Sequence, residues 1–134
     1  MSSTLTVTNL TATNLTDGAG TTSTFANINQ GHSKAWVNFN TNTSTSIHDS
    51  FNTASLTDNA TGDTTQTFTN AMGNANFASS GACNHGGIAN FDSNLTIPHG
   101  VNPSTTTVRS QVSNSANSAS DGPYISHLIH GDLA

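Results

Sequence analysis

No glutamate occurs between Met1 and Ala134, and Lys34 and Arg109 are the only Lys or Arg residues. Such a chain lacks most of the straight-chain residues that favour helices, and the ion pairs that steady exposed ones. What remains suits strands joined by turns, because Thr, Ser and Asn make up 59 of the 134 residues. The same shortage of charge restricts partners. Two cations cannot neutralise a run of phosphates, which excludes nucleic acid. No charged amphipathic helix is present to lie on a membrane, and no apolar run approaches the roughly 18 residues of a spanning helix. Apolar residues are 32% of the chain, a thin supply for a lone domain that must bury about two-thirds of its unfolded surface. The expectation is an all-β chain whose burial is completed by assembly with other chains. Disorder is disfavoured by aromatics spread from Phe25 to Tyr124 and by a net charge of only −5.

Cys83 is the single cysteine, so no internal disulfide staples the fold. The N-terminus has neither a basic nor an apolar signal region, which predicts synthesis in a cytoplasm without a cleaved leader.

Residues 1–24 read as an arm. They carry a short repeat, Thr8-Asn9-Leu10-Thr11-Ala12 then Thr13-Asn14-Leu15-Thr16-Asp17, whose few apolar side chains need a neighbour to be buried. Residues 25–134 read as the body. Its clearest strand is Lys34–Asn40, with Ala35, Val37 and Phe39 on one face and Lys34, Trp36 and Asn38 on the other. Ile47–Phe51 follows as a strand. A hairpin is expected around a loop from Asp58 to Asp63. Phe77–Cys83, Thr105–Val112 and Tyr124–His130 are further strands, the last with Ile125 and Ile129 opposite Tyr124 and Leu128. Asn84–Gly87 reads as a turn, Ile88–Phe91 and Leu95–Ile97 as short strands, and Ser113–Asp121 as a loop. Strands every ten residues or so, with turns between, predict an antiparallel sandwich or barrel.

No catalytic constellation stands out in the sequence. Asp17, Asp58, Asp63 and Asp121 sit beside Gly or Asn, where Asp serves turns. No apolar pocket is in view for a paired acid. His127 and His130 are three apart, which on a strand puts their rings on opposite faces. His32, His85 and His99 lie next to Gly. No zinc-type spacing and no nucleophile elbow occur, so neither cofactor nor metal is expected within a chain; the one metal route left is a single His repeated three times at the axis of a threefold assembly. Trp36, Tyr124 and His127 are the candidate binding side chains, the first two suited to stacking on sugar. A Trp in an alternating strand is more commonly core or interface.

Three stretches resemble a module of bacteriophage tail-fibre and related virion proteins, common in marine and cyanobacterial phages. They are Ser33–Asn40 (SKAWVNFN), Ile47–Asn52, and Leu56–Asp63 (LTDNATGD). Ala71–Phe77 and the C-terminal Ile129–Ala134 follow the same pattern, whereas Thr41 replaces the usual Gly and residues 84–103 match nothing in it. The resemblance implies a homotrimeric, β-rich virion protein. The fold expected is a jelly-roll-like antiparallel β-sandwich with a short extended N-terminal arm. The function expected is a non-enzymatic fibre or fibre-tip protein of the virion surface, with the arm toward other virion proteins and the loops toward a host glycan or protein. The alternative is a capsid decoration, cement or short head-fibre protein without receptor binding.

Overall fold

The computed structural model describes residues 14–16, 19–20, 22–84, 94–96, 101–114 and 116–134. The chain divides into two compact units, Met1–His32 and Ser33–Ala134. In the first, β1 (Asn14–Thr16) pairs antiparallel with β2 (Thr22–Thr24), and the helix α1 (Phe25–Gly31) follows. The described part of the expected arm is therefore a small hairpin; the first copy of the repeat lies outside the described residues. The helix departs from the all-β expectation. Thr24 is of a type favoured immediately before a helix. Seven residues are two turns, too few to display a helical period in the sequence.

The second unit holds β3 (Ala35–Asn40), β4 (Ser46–Phe51), β5 (Thr53–Ala60) and β6 (Asp63–Phe68), then β7 (Ala78–Asn84), β8 (Asn94–Thr96), β9 (Thr107–Ser113) and β10 (Tyr124–His130). They form two four-stranded sheets, β4-β3-β10-β7 and β5-β6-β9-β8, with every pairing antiparallel. The strands expected around residues 34–40, 47–51, 77–83, 105–112 and 124–130 are present within a residue or two. The expected loop from Asp58 to Asp63 is corrected. Pairing runs on to Ala60 and Asp63, leaving Thr61 and Gly62 as the turn. Gly62 takes a positive φ of 68° there, a conformation open to Gly at little cost. Asn84, read as part of a turn, closes β7. His85–Gly87, Ile88–Phe91 and Ile97 lie outside the described residues, and Leu95 falls in β8.

Alternation decides what is buried. Ala35, Val37 and Phe39 of β3 and Ile125 and Ile129 of β10 point inward from the first sheet, meeting Phe68, Val108 and Val112 from the second. These side chains form two apolar clusters. Ala35, Ile129, Phe68 and Val108 surround Met72, with Phe77 packed edge-on to Phe68. Val37, Phe39, Ile125 and Val112 make the other, flanked by Leu56, Cys83 and Leu95. Between them lies a polar waist: His127 separates Ile125 from Ile129 along β10, and Ser110 separates Val108 from Val112 along β9. Thr64 of β6, which pairs with Ser110, and Gln66, which pairs with Val108, are buried as well.

The chain crosses from the first sheet to the second at Asn52, in a left-handed conformation with φ 54°. Asn is one of the few residues that adopts this region readily, through local hydrogen bonding. Its Nδ2 donates to the carbonyls of Lys34 (2.9 Å) and Asn70 (3.1 Å), and its Oδ1 accepts from the Asn70 amide (2.7 Å). Next along, the Gln66 Nε2 donates to Thr53 Oγ1 (2.8 Å), which donates to the Trp36 carbonyl (3.2 Å). Replacing Asn52 by Ala removes three hydrogen bonds and strains the corner, and lowers unfolding free energy by about 3 kcal/mol in urea melts. Asn52→Gly, which relieves the strain alone, recovers roughly 1 kcal/mol of that loss.

Candidate functional site

The outward side chains of the two sheets differ in kind. On the first sheet, cross-strand register aligns Phe51 of β4, Trp36 of β3 and Leu128 of β10 in one row. Phe51 is 51% exposed, Leu128 36% and Trp36 half-buried. The next row places Asp49, Asn38 and Ser126 side by side, with Asn38 Nδ2 donating to Ser126 Oγ at 2.8 Å. Trp36, Asn38, Ser126 and Leu128 line a shallow groove of about 390 Å³, above Val37 and His127.

At the end of this face β4 carries a bulge. Asn38 opposes Asp49 and Phe39 opposes Ile47, so His48 is the extra residue. Its ring stacks on Tyr124, with centroids 5.2 Å apart and planes 26° apart. Its Nε2 lies 3.1 Å from the Pro123 carbonyl, which can only accept, so the proton sits on Nε2. Tyr124 is 59% exposed, beside the half-exposed apolar row.

The second sheet turns a hydrogen-bonded lattice outward. Arg109 of β9 grips Asp63 of β6 with both arms of its guanidinium, Nε to Oδ1 at 2.6 Å and Nη2 to Oδ2. Asn59 Nδ2 donates to Asp63 Oδ1 (3.2 Å) and to Thr65 Oγ1 (2.9 Å). The hydrogen bonds from Arg109 hold the Asp63 carboxyl below its ordinary value; Asn59 and the guanidinium charge act in the same direction, and partial burial opposes them. Asp63 is thus a strand residue in an ion pair, not the turn residue expected. Asp58 likewise lies in β5, where it accepts from Thr45 Oγ1 at 2.8 Å. Asp121 does serve a turn, accepting from the Gly62 amide at 2.7 Å.

Of the three candidate side chains, Trp36 and Tyr124 share the outer face of the first sheet. His127 points the other way, into the polar waist, and is 2% exposed. Among the described residues its Nδ1 has no hydrogen-bond partner, and neither does the buried Oε1 of Gln66. Burial pushes the imidazole down to about 4, because a charged ring there is cut off from water. His130, on the opposite face as its spacing predicts, lies 3.2 Å from Ser33 Oγ. His85 and His99 are outside the described residues. Among the described residues no three His, Cys or Asp side chains are grouped to hold a metal. Phe51, Leu128 and His48 were not singled out by sequence. They join Trp36 and Tyr124 only through strand pairing and the bulge.

Comparison with known protein families, with curated proteins and with solved structures returns no match.

The Asp63–Arg109 pair makes a titration prediction. A carboxyl held low in the folded chain stabilises it above the unfolded carboxyl range and loses that effect as pH falls through the folded value. Arg109→Gln is expected to raise the Asp63 pKa toward that of a free Asp, measured by NMR titration of the side-chain carboxyl. An unmoved value would mean that Arg109 is not its principal partner.

Proposed function

We propose that this chain is a non-enzymatic structural protein of a phage virion surface, of tail-fibre or fibre-tip type. It assembles as a homotrimer of jelly-roll-like sandwiches through the outer face of the β4-β3-β10-β7 sheet. The observation that carries the reading is the contrast between the two outer faces. One is a satisfied polar lattice suited to water; the other presents Phe51, Trp36, Leu128 and Tyr124 in an almost uncharged setting. Covering a half-exposed Phe, Leu or Tyr contributes on the order of 1 kcal/mol each, so a closed threefold ring, which repeats one heterologous contact three times, multiplies a modest patch into a stable assembly. The interior supports the same view. Among the described residues nine apolar side chains are buried, against seven polar ones, a thin core that gains from coverage by neighbours. The resemblance of SKAWVNFN and LTDNATGD to virion modules supplies the setting. In that setting the polar sheet and the loops face outward, toward a host surface.

Leu128→Asp tests the assembly. The side chain is already exposed within one chain, so the fold tolerates the change, whereas a carboxylate on the covered face does not associate. Light scattering is expected to give three times 13.7 kDa for the natural chain and a single chain for the variant. A natural chain that is monomeric at micromolar concentration contradicts the proposal.

A further inference from the structure

The waist beneath this face carries a consequence for its control. His127 occupies the middle of β10, the strand paired on one side with β3 at Val37 and on the other with β7 at Gly81. Its two neighbours in sequence, Ser126 and Leu128, help to line the outer groove, which His127 itself also borders. The ring therefore sits directly behind the apolar row. Among the described residues its Nδ1 has no acceptor, and the other polar side chains buried along the strands of the second sheet include Thr64 and Gln66 of β6 and Ser110 of β9, all three uncharged. None of these can neutralise an imidazolium. From β7 the titratable inward group is Cys83, packed against the apolar cluster around Ile125. From β8, Leu95 lies over Gly81, where an added Cβ would collide with it. From β5, Leu56 flanks the cluster, and Asp58 at the far end is exposed and engaged by Thr45. Asp63 and Arg109 are paired with each other on the outer side of the second sheet.

We propose that His127 is an acid-sensitive latch: protonation of this ring loosens β10 and, resting on the trimer reading above, releases the assembled face. The sign follows from linkage. Between about pH 6.5 and pH 4 the unfolded chain binds a proton on this ring that the folded chain refuses. Stability is full above pH 6.5 and falls as the pH drops to about 4. The Asp63 carboxyl, held low by Arg109, loses its contribution only in more acid solution. The two effects occupy different windows.

The test compares the natural chain with His127→Gln and His127→Leu, by thermal melts and light scattering at pH 7.5 and pH 4.5. The natural chain is expected to lose on the order of 10 °C more in Tm between those values than either variant. It is also expected to dissociate at pH 4.5 while the variants keep their mass. Equal Tm losses in all three overturn the latch and assign the acid response to carboxylates. A natural chain that is monomeric already at pH 7.5 overturns the trimer reading and the coupling with it, while the Tm comparison still decides the role of His127. A trimer that acid leaves intact overturns the coupling alone. Should neither variant fold, NMR titration of His127 in the natural chain decides. A ring still neutral at pH 5 supports the latch, and titration near 6.5 overturns it.

Discussion

The body of this protein depends on the meeting of inward side chains from two sheets across a single interior layer. That layer is small. Phe39, Phe68, Met72 and the β-branched residues of β3, β9 and β10 supply nearly all of it. Because the apolar supply is limited, polar groups fill the remaining space. His127, Ser110, Gln66 and Thr64 cut the interior into two clusters. A buried polar group without a partner costs on the order of 1–3 kcal/mol, and Gln66 and His127 each carry one such atom. An interior of this composition is stable with little to spare, so the coverage of its outer surfaces matters more than in an ordinary domain.

Hydrogen bonds take over where apolar contacts are few. Asn52 holds the crossing between sheets with both ends of its amide, and Thr53 links Gln66 of one sheet to the Trp36 carbonyl of the other. Thr41 and Gly122 exchange bonds at the opposite end, the Gly122 amide donating to Thr41 Oγ1 at 3.1 Å and the Thr41 amide to the Gly122 carbonyl at 2.9 Å. Asn and Thr are abundant because they serve as structural ties as well as a neutral surface. With few ion pairs to screen, Asp63–Arg109 chief among those described, such a surface is insensitive to salt.

The legible parts of the fold were those in which period-two alternation is strong. β3 and β10 each bury every second residue, and their facing sides are read directly from Ala35-Trp36-Val37-Asn38-Phe39 and from Tyr124-Ile125. Where one face is not buried the alternation fades. The exposed strands β4 and β7 still lie within one residue of expectation, but most of β5 does not show in the sequence, and its pairing with β6 extends into residues that look like a loop. The site was half legible. Trp36 and Tyr124 stood out by residue type, but their common face with Phe51 and Leu128 requires strand order, and His48 reaches Tyr124 only through a bulge that no pattern announces. His127 stands out by its chemistry, and its inward direction follows from the parity it shares with Ile125 and Ile129 on either side. The comparison of outer faces, by contrast, rests entirely on which strands pair.

Trp36 is the only tryptophan of the chain, and it lies in the apolar row of the face proposed to self-associate. Its fluorescence therefore reports on that face alone. Acrylamide quenching of Trp36, followed as protein concentration is raised while mass is recorded in the same samples, tests whether this face is the contact. Quenching is expected to fall as the mass rises to three chains. Quenching that stays constant while the mass triples would place the contact elsewhere and contradict the proposal.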